Sequence, residues 1–176
     1  MSQNQSAVSG PSLNASAGIC ATIKLVMEPE TTTVKGLENL AAWAAEFAQK
    51  IQPKKDQATV VGLVGPLGVG KTAFVQSLLE IYGVEKPVTS PTYTIETVYE
   101  LPDGPFSRGY HIDAYRLDGA ADLGALHFSD RLTGPENLIL LEWAGRVSEL
   151  LPPETFYIDI AFGDTAGERV ITTSYE

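Results

Sequence analysis

Cysteine occurs once, at Cys20, so no intramolecular disulfide can form and a reducing compartment is expected. No apolar run reaches the roughly 18 residues of a membrane-spanning helix. The first residues have neither the basic start nor the long apolar stretch of a signal peptide. Positive charge is scarce, with 12 Lys and Arg against 22 Asp and Glu, a formal net charge of −10. Phosphate backbones and anionic membranes are gripped by basic faces, so unaided nucleic-acid or membrane binding is disfavoured. A soluble, cytoplasmic protein is the expectation. What remains is 176 residues, 44% of them hydrophobic, enough for the core of one domain.

Residues Met1 to Gly18 are rich in Ser, Asn, Gln, Ala and Gly, and the first charged side chain is Lys24. This stretch has little to bury, so a polar disordered tail over 1–18 is expected, ahead of a single domain over 19–176. Cys20 to Met27 can form a first strand, with Cys20 as a small core residue. Apolar positions at Leu37, Leu40, Ala41, Ala44, Phe47, Ala48 and Ile51 have helical spacing. Thr31, Thr32 and Thr33 precede them as candidate N-caps, and Pro53 ends the helix. Ala58 to Val64 is nearly all apolar, as in a parallel strand covered on both faces. A second helix carries Phe74, Val75, Leu78, Leu79 and Tyr82 on one side and ends at Gly83.

Thr94 to Leu101 and Phe106 to Asp113 read as a hairpin around Pro102 to Pro105, which makes the sheet mixed. Ala120 to Leu132 reads as helix, and Asn137 to Glu142 as a short buried strand. Thr155 to Phe162 and Arg169 to Tyr175 read as a final hairpin. The fold expected is α/β, a three-layer α/β/α domain of the P-loop NTPase kind with a mixed parallel and antiparallel sheet.

Gly65-Pro-Leu67-Gly68-Val69-Gly70-Lys71-Thr72 fits the phosphate-binding pattern G-x-x-x-x-G-K-T, followed by Ala73. Its glycines let backbone N–H groups turn inward around phosphate oxygens at a helix N-terminus. Lys71 would reach the β- and γ-phosphates, and the Thr72 hydroxyl would bind Mg²⁺. A strand before and a helix after supply the context that separates this motif from a chance glycine-rich turn.

Mg²⁺ also wants carboxylates, typically at the end of an apolar strand. Glu142 closes Leu-Ile-Leu-Leu, and Asp113 follows Tyr110-His111-Ile112. Either acid can hold the metal while the other orients the attacking water; an exposed surface acid is the plain alternative for each. The guanine-selecting Asn-Lys-x-Asp motif is absent, which favours ATP. Arg116, three residues after Asp113, either faces a phosphate or pairs with a surface acid.

Taken together, GPLGVGKTAFVQ (Gly65 to Gln76), SPTYT (Ser90 to Thr94), HIDAYRL (His111 to Leu117), LLEW (Leu140 to Trp143) and Leu151-Pro152 resemble the TsaE family. These are small P-loop ATPases of bacterial tRNA threonylcarbamoyladenosine (t6A) synthesis. The likeness runs from about Pro29 to Ile160 in order and spacing. It implies that Ser90 to Thr94 is a switch loop near the γ-phosphate, with Thr92 offering a hydroxyl; alone, the segment reads as an ST-turn. It puts the family's two acids on Asp113 and Glu142, Trp143 beside the nucleotide, and Thr33 near the purine. Read alone, Trp143 is a core aromatic and His111 a structural hydrogen-bonder.

The likeness also implies partners. The TsaD–TsaB pair transfers a threonylcarbamoyl group to tRNA, and TsaE joins that pair and hydrolyses ATP to reset it. ATP and ADP are then the ligands, Mg²⁺ the cofactor, and tRNA is met only through the partners. The family's Glu-Glu-Leu helix and following Gly are replaced here by Ala121-Asp122-Leu123 and, near the Gly position, His127, expected at the surface. The segment 1–27 is longer than usual for the family. A small P-loop kinase is the alternative, and it wants an arginine-rich lid that this chain lacks. A non-hydrolysing nucleotide sensor is disfavoured by Thr72, Asp113 and Glu142 occurring together.

Overall fold

A computed structural model of the chain describes residues 29–117 and 119–175. The expected strand at Cys20 to Met27 and the polar tail lie outside the described residues. Seven strands form one sheet: β1 (Glu30–Lys35), β2 (Thr59–Val64), β3 (Glu96–Glu100), β4 (Arg108–Asp113), β5 (Asn137–Glu142), β6 (Phe156–Phe162) and β7 (Glu168–Tyr175). Their order is β1-β7-β6-β2-β5-β4-β3. The inner four, β6, β2, β5 and β4, run parallel. The outer strands pair antiparallel, β3 on β4 and the β6–β7–β1 set at the other edge. The mixed sheet expected from the two hairpins is therefore present.

Alternation along the inner strands fixes the layers. Val61, Leu63, Leu138, Leu140, Ile158 and Ile160 face one way, into a core with Leu40, Phe47, Phe74 and Leu78. These come from α1 (Gly36–Lys50) and α2 (Lys71–Ile81). Val60, Ile139, Leu141, Tyr110 and Ile112 face the other way, onto Leu123 and Phe128 of α3 (Ala120–Ala125) and α4 (Phe128–Leu132). Two covered faces explain why β2 and β5 read as nearly unbroken apolar runs. The fold is α/β, as expected.

Phe74 is fully buried between Trp43 and Phe47, with ring centroids 5.3 and 5.6 Å away. Phe74→Ala empties that space and is expected to cost about 3–5 kcal/mol of stability, read as a lowered urea midpoint.

Two expectations need correction. Thr31, Thr32 and Thr33 do not cap α1; they lie in edge strand β1, in register with Thr172, Ile171 and Val170 of β7. The capping position is Lys35, which makes no side-chain cap bond. Three consecutive β-branched residues pack well on a pleated strand, and the long-range pairing overrides the local cap signal. The helix expected over Ala120 to Leu132 is broken at His127, whose φ is 51°. That left-handed backbone is the conformation glycine adopts most freely, so the departure from the family's Gly falls on a left-handed position. His127 is exposed, as expected. Among the described residues no helix is long and apolar enough to cross a membrane.

Candidate active site

Parallel strands β2, β5 and β4 end side by side, and loops at their C-terminal ends line one cleft, the usual place for a ligand in an open α/β sheet. The cleft, about 390 Å³, is lined by main-chain and side-chain atoms of Leu67, Gly68, Gly70, Lys71, Thr72, Ala73, Ser90, Thr92, Asp113, Tyr115, Glu142 and Trp143. Gly65 starts the loop after β2 at φ 137°, where a Cβ would lie 2.2 Å from the Ile160 carbonyl oxygen. Only glycine fits there, and α2 begins six residues later.

Lys71 is almost fully buried. Its Nζ donates to the carbonyl oxygens of Gly65 (2.9 Å) and Pro66 (3.0 Å) and lies 3.8 Å from the centroid of the Trp143 ring. Burial pulls its pKa below the ordinary lysine value, and Glu142 and Asp113 pull it partly back. Tyr115 packs against Trp143 with centroids 5.1 Å apart, backing the ring that covers the lysine.

The two acids are neighbours. Asp113 and Glu142 stand in register at the ends of β4 and β5. Glu142 Oε1 accepts from Thr72 Oγ1 at 2.8 Å and lies 2.9 Å from His111 Nε2. His111 is fully buried, and among the described residues its Nδ1 has no partner, so the ring acts as a structural hydrogen-bonder aimed at Glu142. Asp113 Oδ2 accepts from Ser90 Oγ (2.8 Å) and Thr92 Oγ1 (2.7 Å), and Oδ1 from the Tyr115 N–H (2.9 Å). Asp113 thus holds the Ser90–Thr92 loop shut against the sheet.

That loop is strained. Ile95, a β-branched residue, has φ 69°, its N–H donates to Pro91, and its carbonyl accepts from the Asp113 N–H. Such a conformation costs on the order of 1–3 kcal/mol and survives only while its surroundings hold it. Trp143 is also left-handed, at φ 61°. Among the described residues Arg116 does not line the cleft and meets no acid; its Nη2 donates to the Tyr93 carbonyl at 2.8 Å, tying the same loop from outside.

Oxygen donors Thr72, Asp113 and Glu142 suit a hard divalent cation. Among the described residues no group of three or more His, Cys, Asp or Glu side chains is arranged to hold a metal by itself. Mg²⁺ with a nucleotide does not need one, because phosphate and water complete its shell. The charge balance also fits: among the described residues one lysine lines the cleft against two carboxyl side chains. A polyphosphate enters such a cleft most readily with a cation of its own.

Lys71, Thr72, Thr92, Asp113, Glu142 and Trp143 are therefore brought together, with Leu67, Gly68, Gly70 and Ala73 around them. Val69 is buried under the loop and Gly65 lies at its root. Thr33 stands apart, exposed on β1 and outside the residues that line the cleft. The sequence reading missed the Tyr115–Trp143 packing, the His111–Glu142 contact and a bond from Arg169 to the Val69 carbonyl. Tyr115 and His111 lie within a motif already in view; Arg169, 100 residues away in sequence, gave no signal.

The family model for "Threonylcarbamoyl adenosine biosynthesis protein TsaE" matches residues 34–171. The Streptomyces coelicolor tRNA threonylcarbamoyladenosine biosynthesis protein TsaE is 42% identical over 127 residues, 70% of this chain and 83% of that protein. The Treponema pallidum protein of the same name is 30% identical over 141 residues, 80% of this chain and 96% of its own. The crystal structure of Bacillus subtilis YdiB superposes with a TM-score of 0.65 at 28% identity, over 85% of this chain and 87% of that one.

Proposed function

The chain belongs to the TsaE family of t6A biosynthesis proteins, and from that premise we propose that it is the Mg²⁺-dependent ATPase that works on a TsaD–TsaB transferase. The proposal takes residues 19–176 as one ATPase domain behind a polar tail, acting in the cytoplasm. The observation that carries it is the meeting of Lys71, Thr72, Asp113 and Glu142 in one cleft at the ends of three parallel strands. A bare phosphate-binding loop suits many activities; two carboxyl groups lining its cleft, one of them bonded to the Thr72 hydroxyl, suit hydrolysis.

The loop's N–H groups cradle the phosphates. Lys71 leaves the Gly65 and Pro66 carbonyls to pair with the β- and γ-phosphates. Mg²⁺, when bound, offsets phosphate charge, and Thr72 with Glu142 or Asp113 would hold it. The remaining acid orients water for attack on the γ-phosphorus; the bond to the β–γ bridging oxygen breaks, giving ADP and phosphate. Trp143, backed by Tyr115, limits bulk water around Lys71.

The strained Ser90 to Ile95 loop supports a second element of the reading. A loop closed by Asp113 at the cost of a left-handed Ile95 has a competing arrangement close in energy, which a partner can select. Activity alone is then weak, and tRNA is met only through the partners. ATP turnover is expected to rise at least about tenfold when purified TsaD and TsaB are added. A phosphate-release assay reads this directly. No stimulation together with no association in a pull-down would defeat the assignment to that complex.

A further inference from the structure

Arg169, on β7, reaches across to the phosphate-binding loop. Its Nε donates to the Val69 carbonyl at 3.0 Å and its Nη1 to the Gly167 carbonyl at 2.7 Å. The Gly167 carbonyl also accepts from the Gly36 N–H at 2.9 Å, so the guanidinium is braced against the turn between β6 and β7 and the start of α1. Nothing in the nucleotide chemistry described above uses this residue.

The geometry of the next peptide bond gives it a role. No described peptide bond is cis. In a trans peptide the carbonyl of one residue and the N–H of the next point in opposite directions. Val69 is buried beneath the loop, whereas Gly70 lines the cleft. Gly70 also stands at the N-cap of α2, with φ 118°, and its own carbonyl is taken by the Phe74 N–H. A glycine peptide here can turn over at little cost unless one of its ends is held. Arg169 holds the carbonyl end, with a charge-assisted bond stronger than a neutral one.

We propose that Arg169 is a positioning residue of the phosphate cradle: by holding the Val69 carbonyl away from the cleft, it aims the Gly70 N–H into it. The inference rests on the cleft being the nucleotide site. It makes the β6–β7 hairpin, remote in sequence, part of what preorganises the loop. Arg169 touches no phosphate itself; it acts through one peptide plane.

Calorimetric titration of the full chain with MgADP and with magnesium pyrophosphate separates the possibilities. Arg169→Ala should weaken both ligands about tenfold, because the defect lies in the phosphate cradle that they share. Arg169→Lys keeps a cationic donor on the same strand but not the fork that spans the Val69 and Gly167 carbonyls, so it should recover both ligands in part, to a loss smaller than that of Arg169→Ala. Unchanged affinities in Arg169→Ala would overturn the proposal. So would a loss for MgADP with pyrophosphate unaffected, which would put Arg169 at the nucleoside end. Should Arg169→Ala fail to fold, Arg169→Gln, which keeps a neutral donor, carries the same comparison with a smaller loss. A wild-type chain that binds neither ligand would defeat the nucleotide reading itself, a failure distinct from that of the Arg169 variants.

Discussion

ATP hydrolysis should fall about 10³-fold when Lys71 is replaced by Ala, with residual turnover near the background of the assay. Among the described residues Lys71 is the one basic side chain lining a cleft that also carries two carboxyl groups. Without it, the phosphates face Asp113 and Glu142 with no fixed positive charge from the chain. The loss should also reach binding, because the ammonium pairs with phosphate in the ground state as well as the transition state. The variant should nevertheless fold. In the free protein the ammonium is buried, its pKa is lowered chiefly by that burial, and its bonds run to two backbone carbonyls. Removing it relieves a desolvation cost while leaving those carbonyls beside the cleft. A phosphate-release assay with a thermal melt separates the two effects. Turnover near the wild-type rate in a folded Lys71→Ala protein would remove the cleft from the chemistry.

Glu142→Gln should lower hydrolysis by about 10²–10³-fold while changing ADP affinity by no more than about threefold. Glutamine keeps the shape of the side chain. It still offers an oxygen to the Thr72 hydroxyl and to His111, whose contacts with Glu142 Oε1 are 2.8 and 2.9 Å. What it loses is the charge that draws a divalent cation or polarises water. Alanine is the poorer test, because it strands the buried His111 ring and the half-buried Thr72 hydroxyl and destabilises the fold on that account. Asp113→Asn should act in the same direction. It also weakens the closure of the Ser90–Thr92 loop, so loop mobility and catalysis change together. Unchanged rates in both variants would mean that neither acid serves the reaction.

How much of this was legible depended on distance along the chain. The phosphate-binding loop was readable because its glycines, lysine and threonine fall within one eight-residue stretch. The two acids were readable because each ends an apolar strand. Their register opposite one another was not, since it follows from strand order, and β4, β5 and β2 meet only through crossovers. Thr31 to Thr33 misled because a threonine run serves a cap and an edge strand equally well in isolation; pairing with β7 decides it. Arg116 presented two partners, and among the described residues it ties the backbone of Tyr93 instead. Arg169 could not be singled out, because its target carbonyl carries no side-chain signature and lies 100 residues away.

The central claim is that ATP turnover in this cleft serves t6A formation. The direct measurement is t6A product formed over many turnovers by purified TsaD and TsaB. The assay supplies tRNA, threonylcarbamoyl-adenylate and MgATP, and adds wild-type chain, Lys71→Ala chain or none. Product well in excess of the TsaD–TsaB pair with the wild-type chain, and a halt near the amount of that pair in the other two reactions, is the expected result. Equal sustained product in all three would contradict the claim.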